Sequence, residues 1–273
     1  MSDVPNIMLA DSHQIPQVGL GLWKIKEEEQ FYPAFSAAID AGYRHFDTAQ
    51  FYNNEHLLGA AWQQKGVKRE DIFITTKIAI THFTPRKVRE SFEESLSKLK
   101  TDYVDLLLLH FPVTLLRKKA WLELEKIHKN SLARSIGVSN YTINHLNEMN
   151  SYANEKPAIN QVELHVFLQQ PKLLKYCQEH HIQTEAYSPL AHGHSMDDTI
   201  IISIAEKYGK TYAQVMLRWL TQKGHVVIPK SVTPSRIQEN IALFDFKLSD
   251  QDMAEIAKLD KNKRFCWSPE RIP

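Results

Sequence analysis

Residues Val104-Asp105-Leu106-Leu107-Leu108-Leu109 form a short, nearly continuous apolar run. Such a run is typical of a strand that is buried on both faces, as strands are in a parallel sheet. The segment before it has the 3.6-residue apolar period of a helix. The residues that keep this period are Val88, Phe92, Leu96 and Leu99. Thr84 is expected to cap this helix and Pro85 to occupy its first position.

The same alternation of strands and helices extends along the chain in both directions. Eight strands are predicted, at residues 17–22, 43–48, 72–77, 103–110, 134–139, 158–163, 182–188 and 226–230. Besides the helix after Thr84, helices are predicted at residues 28–41, 55–65, 120–129, 142–152, 171–180, 212–222 and 234–243, with extra helices at 198–207 and 250–259. This pattern predicts an α/β fold of the (β/α)8 type, a TIM barrel. A short β-hairpin is predicted before it, around Asp11-Ser12-His13.

An open, doubly wound sheet is the alternative α/β architecture. It would carry a glycine-rich phosphate turn between its first strand and first helix. Gly19-Leu20-Gly21 is not followed by a third glycine three residues on, and no helix begins at Leu22-Trp23. The barrel is therefore preferred. Since no linker or low-complexity tract interrupts the chain, residues 1–273 are interpreted as a single barrel domain.

Composition excludes several classes of protein. The 273 residues are 43% hydrophobic and 24% charged, as in ordinary globular proteins. Lys and Arg total 33 against 32 for Asp and Glu, so there is no basic excess for nucleic acid. No apolar run approaches the ~18 residues of a membrane helix, and no signal peptide is visible. With only two cysteines, Cys177 and Cys266, a reduced cytoplasmic location is expected.

Four ionisable side chains follow three adjacent predicted strands. Asp47 and Tyr52 lie at the end of the second strand, Lys77 ends the third, and His110 ends the fourth. Barrels of this type place their active sites at the carboxyl ends of the strands. Each residue also has a structural explanation: a loop cap, a half-buried aromatic, a solvated lysine or a rim histidine. Their joint placement favours a catalytic site, in which Asp47 compensates a buried Lys77.

These residues resemble a known family, the aldo-keto reductases. The resemblance rests on Asp47-Thr48-Ala49 with Tyr52-Asn53-Asn54-Glu55, on Thr76-Lys77, and on Asp105 through His110-Phe111-Pro112. It extends to the later motifs 137–140, 160–163, 186–190 and 228–231. The motifs occur in the family's order over nearly the whole chain. The compact length is most similar to the bacterial 2,5-diketo-D-gluconic acid reductase and methylglyoxal reductase branch.

The resemblance implies reduction of aldehydes or ketones by hydride transfer from NADPH. Tyr52 would be the general acid, with a pKa that the nearby Lys77 cation lowers from its ordinary ~10. Asp47 would keep Lys77 charged and oriented. His110 would hydrogen-bond the substrate carbonyl and polarise it.

Cofactor-binding residues are implied in the same way. Ser139, Asn140 and Gln161 would bind the nicotinamide carboxamide, and Tyr187 would stack on the ring. Ser188 and Leu190 belong to the same cofactor motif. The turn after the last strand opens a helix, where barrels commonly bind phosphate. The cations and hydroxyl groups of this turn favour the 2′-phosphate of NADPH; they belong to Lys230, Ser231, Thr233 and Arg236. Two further residues, Glu239 and Asn240, would lie near the adenine.

The substrate side is implied to be aromatic. Trp23, Phe51 and Phe111 would line the pocket with His110, and small 2-oxoaldehydes or keto-sugar acids would suit it. Asn53 stands where the family usually has glycine, and Phe111 where it usually has tryptophan. Asn tolerates left-handed backbone angles, so the turn is expected to survive. The loop after Pro112 and the tail from Phe265 are both short.

Alternatives to this function remain at this stage. Lys77 could be a Schiff-base nucleophile, as in aldolases. The barrel could also be a catalytically silent NADPH-binding sensor or partner subunit. A metal is not expected at His180-His181 or at His192-Gly193-His194, since neither has metal-ligand spacing. The family resemblance implies a monomer.

Overall fold

The eight-stranded sheet follows chain order without interruption. The structure is a computed structural model that describes residues 4–194 and 197–273. The chain begins with two short strands, β1 (Asn6–Met8) and β2 (Gln14–Pro16), outside this sheet. The parallel strands are β3 (Gly19–Gly21), β4 (His45–Asp47), β5 (Phe73–Ile78), β6 (Val104–Leu109), β7 (Ala133–Ser139), β8 (Ile159–Glu163), β9 (Gln183–Tyr187) and β10 (Val226–Val227).

The sheet closes into a barrel between its first and last strands. Val18 forms a parallel bridge with Val227, whose backbone N–H donates to the Gln17 carbonyl at 3.0 Å. On the other side, the Gly21 N–H donates to the Pro229 carbonyl at 3.0 Å. A Cβ on Gly21 would lie 2.8 Å from the Ile228 carbonyl oxygen, so only glycine permits this approach. The predicted (β/α)8 barrel is confirmed.

Helices surround the barrel in alternation with the strands. Their bounds are α1 (Glu28–Ala41), α2 (Glu55–Gln64), α3 (Pro85–Leu99), α4 (Arg117–Lys129), α5 (Ile143–Met149), α6 (Pro171–Glu179), α7 (Thr199–Tyr208), α8 (Tyr212–Gln222), α9 (Pro234–Ile241) and α10 (Asp250–Ala257). Both predicted extra helices, α7 and α10, are present. In the described part of the chain, no helix is long and apolar enough to span a bilayer.

Some boundaries differ from the sequence prediction for local reasons. The last strand is shorter than residues 226–230, because Pro229 has no N–H for a strand ladder. Thr84 occupies the cap position of α3, but its side chain makes no capping hydrogen bond; the start of the helix depends on Pro85. Conversely, Thr142 and His145 form a capping box at α5 that sequence analysis did not identify.

The predicted N-terminal hairpin closes one end of the barrel. β1 and β2 pair in antiparallel register, with Ile7 opposite Ile15. Ile15 is fully buried and packs with interior residues at the bottom of the strands, among them Phe73, Leu106 and Val226. The hairpin thus lies at the amino ends of the strands, opposite the carboxyl ends at which barrels place their active sites.

Candidate active site

The four predicted ionisable residues meet at the carboxyl ends of β4, β5 and β6. β4 ends at Asp47, and a single 3₁₀ turn over Gln50–Tyr52 carries Tyr52. Asn53 ends this turn in the left-handed region, at φ 56°, as expected for Asn in place of glycine. The buried side chain of Asn54 fixes the turn by donating to the carbonyls of Leu22 and Ile25 at 2.9 and 2.8 Å.

Lys77 is fully buried at the centre of the group. Its Nζ lies 2.6 and 2.7 Å from the two carboxylate oxygens of Asp47 and 3.0 Å from the Thr48 carbonyl. It also lies 3.3 Å from the Tyr52 hydroxyl. Burial lowers the pKa of Lys77, but the charge of Asp47 and its neighbours raises it above its ordinary value. Lys77 is thus a paired ammonium ion, which contradicts the solvated-lysine explanation.

Lys77 lowers the pKa of Tyr52 as expected, but it does not decide the net shift in the free protein. Burial of the hydroxyl raises that pKa to about 12 and outweighs the opposing attraction of Lys77. Lys77 acts in the predicted direction, but a desolvated phenolate is more costly than one nearby cation can offset. Tyr52 therefore holds its proton throughout the neutral range.

His110 faces Tyr52 across the mouth, with ring centroids 5.6 Å apart. Burial, and after it the charge of Lys77, lower the pKa of His110 to about 3. The imidazole is therefore neutral, with one nitrogen protonated and the other free to accept. Such a ring can donate one hydrogen bond to a carbonyl oxygen without carrying a charge.

A network of side-chain amides extends from His110 across the ends of β7, β8 and β9. Asn140 has left-handed backbone, at φ 66°, and its Nδ2 donates to Ser139 Oγ at 3.0 Å and to the His110 carbonyl at 3.2 Å. Its Oδ1 accepts from the Tyr187 hydroxyl at 2.7 Å. Gln161 Nε2 donates to Asp47 Oδ2 at 2.8 Å. The residues predicted to hold a nicotinamide carboxamide thus adjoin the ionisable group.

The remaining members of the predicted cofactor motif lie beside this network. Ser188 Oγ lies 3.0 Å from His192 Nε2 and 3.7 Å from Cys266 Sγ, and Leu190 packs against the core. The described residues contain no group of three or more metal-ligating side chains, at these histidines or elsewhere.

The turn between β10 and α9 presents free cations. Lys230, Thr233 and Arg236 are exposed, and neither cation has a hydrogen-bonded or ionic partner among the described residues. Ser231 is buried and its Oγ accepts from the Thr233 N–H at 3.1 Å. Burial, and then the charge of Lys24, lower the pKa of Lys230. Lys24 was not among the residues predicted from the sequence; its position next to Trp23, three residues after β3, was the available signal.

The two residues predicted near an adenine differ in accessibility. Asn240 is buried within α9. Glu239 is partly exposed, and its Oε1 accepts from Thr211 Oγ1 at 2.6 Å. This bond ties α9 to the start of α8 at the side of the cationic turn.

Aromatic rings line the other side of the mouth. Trp23 is stacked on Phe51 at 5.7 Å between centroids, with 16° between planes, and lies 4.8 Å from the Tyr52 ring. Phe51 also faces His110 at 6.1 Å and Trp267 at 6.4 Å. Phe111 is partly buried and makes no ring contact with this group among the described residues. Trp267, which is 72% exposed, was not singled out from the sequence.

The tail that carries Trp267 is held at both ends. Buried Glu163 accepts from the backbone N–H groups of Phe265 and Cys266 at 2.6 and 3.1 Å. Further on, Arg117 donates to the Pro273 carbonyl at 2.6 Å, and His145 Nε2 lies 2.8 Å from the Ile272 carbonyl. These contacts place the tail beside the aromatic wall, where Trp267 faces Phe51.

A closed parallel barrel with a buried acid–base group at the carboxyl ends of its strands is the architecture of a barrel enzyme. More specifically, the chain belongs to the aldo/keto reductase family, whose model matches residues 17–261. It is 44% identical over 276 residues to the methylglyoxal reductase DkgA of Salmonella typhimurium, covering 100% of this chain and 99% of that protein. It is 41% identical to the glyoxal reductase of Bacillus subtilis, covering 97% and 96%. A solved aldo-keto reductase of Bombyx mori complexed with NADPH has a TM-score of 0.91 and 37% identity, covering 96% of this chain and 89% of that one.

Proposed function

We propose that this protein reduces small aldehydes and ketones to alcohols with NADPH, using Tyr52 as the general acid. The observation that carries the proposal is the buried Lys77 ammonium, paired with Asp47 and 3.3 Å from the Tyr52 hydroxyl. When bound, NADPH supplies the hydride. Tyr52 supplies the proton, because its raised pKa keeps it protonated until alkoxide develops next to it.

Lys77 and His110 would act when charge develops on the substrate oxygen. The Lys77 cation favours the phenolate that remains after proton transfer, an interaction that is absent in the ground state. The neutral His110 ring donates a hydrogen bond that orients and polarises the carbonyl. A Schiff-base role for Lys77 is disfavoured, because the amine is charged and bound to Asp47.

The residues present fit a nicotinamide cofactor. Both N–H groups of Gln161 are used, one on Asp47 and one on Glu185 at 2.8 Å each. Its Oε1 therefore remains as an acceptor for a carboxamide N–H, beside Ser139 and Asn140. Tyr187 offers a ring face to the nicotinamide, with Ser188 and Leu190 adjoining it.

The opposite end of a cofactor would lie at the cationic turn. Unpaired Lys24, Lys230 and Arg236 supply the charge that phosphate groups need, and Ser231 and Thr233 add hydroxyl groups. This excess of positive charge supports NADPH over NADH. Glu239 and Asn240 are proposed to lie near the adenine.

We assign the substrate side to Trp23, Phe51, His110 and Phe111. An aromatic wall suits small or planar carbonyl compounds, and two relatives are named methylglyoxal and glyoxal reductase. Small 2-oxoaldehydes are therefore the first substrates to test, with keto-sugar acids second. We also propose, from the family resemblance, that the protein acts as a monomer of one domain in the cytoplasm.

The test compares wild type with Tyr52→Phe by the loss of NADPH absorbance, using methylglyoxal and 4-nitrobenzaldehyde. We expect wild type to consume NADPH and the variant to lose turnover while its protein fluorescence is still quenched by NADPH. Equal turnover by both proteins would refute the role of Tyr52. Binding of NADPH with no turnover by either protein would favour the catalytically silent barrel.

A further inference from the structure

A second carboxyl group lies buried beneath the proposed catalytic residues. Glu185, on β9, has no exposed surface. Its Oε2 accepts from Gln161 Nε2, the same amide nitrogen that donates to Asp47. Its Oε1 has no hydrogen-bond partner among the described residues and lies 3.6 Å from His45 Nε2. The proposed mechanism makes no use of Glu185 or His45.

Among the described residues, Lys77 is the one cation whose charge acts on Glu185. However, both carboxylate oxygens of Asp47 already bind the Lys77 ammonium. His45 is no substitute, because burial lowers its pKa to about 3 and leaves the ring neutral. A charged Glu185 would therefore be an unpaired buried carboxylate that shares one amide with Asp47. Burial, and then repulsion by Asp47, raise the pKa of Glu185 to about 8.

We propose that Glu185 is an uncharged carboxylic acid that positions the catalytic group. Its carbonyl oxygen holds one N–H of Gln161, so that the other N–H stays on Asp47 and keeps the carboxylate against Lys77. Loss of the Glu185 proton adds a negative charge below Lys77 and Tyr52. That charge makes Tyr52 a weaker acid and slows reduction. The inference rests on the proposed function, in which Tyr52 donates the proton.

With a pKa of about 8, Glu185 titrates between about pH 6 and about pH 10. Burial also raises the pKa of Asp47, but there the Lys77 charge and hydrogen bonds oppose it. The groups near Glu185 on neighbouring elements are His45, Asp47, Tyr52, Lys77 and Gln161. Tyr187 lies two residues further along the same strand, and His110 lies beyond the Tyr52 ring. The pKa of His110 is about 3, and those of Lys77, Tyr52 and Tyr187 lie above their ordinary values. β10 contributes only Val226 and Val227. Helix α6 packs on the outer side of β9, away from the barrel interior.

The experiment measures kcat/KM for NADPH-dependent reduction of 4-nitrobenzaldehyde across this pH range, because that ratio reports groups of the free enzyme. Wild type should lose roughly three- to tenfold of its activity with a midpoint near pH 8, as expected for a weaker Tyr52 acid. Glu185→Gln mimics the protonated acid and should give a flat profile. Glu185→Ala, checked for folding by circular dichroism, should be impaired at every pH, because Gln161 loses a partner.

Glu163→Gln is the matched control. Glu163 is equally buried, but hydrogen bonds from His165 and the tail lower its pKa despite burial, so it is already ionised. That variant should keep the alkaline loss of activity, whatever its overall rate. An unchanged alkaline loss in Glu185→Gln would overturn the proposal.

An infrared measurement separates this proposal from the proposed function. Wild type near pH 6 should show the carbonyl stretch of a protonated, buried carboxylic acid, and Glu185→Gln should lack it. The absence of any such difference would refute an uncharged Glu185, whether or not the protein reduces aldehydes. Conversely, a wild type with this band but no carbonyl reductase activity would refute the proposed function and leave Glu185 an uncharged acid without a catalytic partner.

Discussion

Both carboxylate oxygens of Asp47 lie within 2.7 Å of Lys77 Nζ, in a place from which solvent is excluded. The positive charge of the Lys77 ammonium is therefore balanced almost entirely by one residue, Asp47. The pair is therefore important for stability as well as for catalysis, since removal of one partner leaves a buried charge behind.

Replacing Asp47 with Asn should destabilise the protein by about 3–5 kcal/mol and abolish most turnover. The matched control is Asp40→Asn, because Asp40 pairs with Lys65 at 2.8 Å but the two side chains remain 60% and 31% accessible. That variant should lose at most about 1 kcal/mol. Urea unfolding of the two variants measures the difference, and equal losses would mean that the buried pair carries no special cost.

Arg236→Ala should weaken NADPH binding by roughly ten- to a hundredfold and NADH binding far less, because the lost contact is to a 2′-phosphate that NADH lacks. Fluorescence titration with both cofactors gives the ratio. Arg86→Ala is the control, since Arg86 is equally exposed on the barrel but pairs with Glu90 on α3. A loss of the same size for NADH would assign Arg236 to another part of the cofactor.

Trp267→Ala should raise KM for 4-nitrobenzaldehyde by roughly three- to tenfold, since an aromatic contact is worth about 0.5–1.5 kcal/mol. The effect on methylglyoxal should be small, because that substrate has no ring to stack. Ile202→Ala, at an exposed apolar residue of α7, serves as the control for a general loss of surface area. Steady-state kinetics with equal effects on both aldehydes would exclude Trp267 from substrate selection.

The stability of wild type should depend on pH through Glu185. Its folded-state pKa of about 8 lies above the ordinary value of 4.5, so the folded protein retains a proton that the unfolded chain loses. The free energy of unfolding should therefore decrease as pH rises from the lower to the higher of these two pKa values, by at most about 1.4 kcal/mol per pH unit. The decrease should end above pH 8.

Glu185→Gln has no proton to lose at this position. Its stability relative to wild type should therefore increase between about pH 5 and about pH 9. Thermal unfolding at both pH values measures this relative change. Parallel curves for the two proteins would show that Glu185 has already lost its proton in the folded protein over this range, as it has in the unfolded chain.

Much of the architecture follows from local patterns in the chain. The run at residues 104–109 and its counterparts are buried on both faces, and β6 has no exposed residue. Asp47, Lys77 and His110 could be placed together because carboxyl ends of parallel strands share one edge. The order of the motifs along the chain was likewise sufficient to predict the family. These features depend on sequence neighbours or on a topology that short patterns determine.

The tertiary structure alone decided the electrostatics and the walls of the site. Glu185 lies within a strand and carries no local sign of its role; its pKa depends on burial and on Asp47, far away in the chain. The tertiary structure also decides the direction in which the pKa of Tyr52 shifts, because burial raises this pKa more than Lys77 lowers it. Likewise, Trp267 faces Phe51 because Glu163, Arg117 and His145, all distant in the chain, hold the tail. Sequence specifies backbone periodicity locally, whereas desolvation and long-range contacts sum over every surrounding residue and exist only once the barrel has closed.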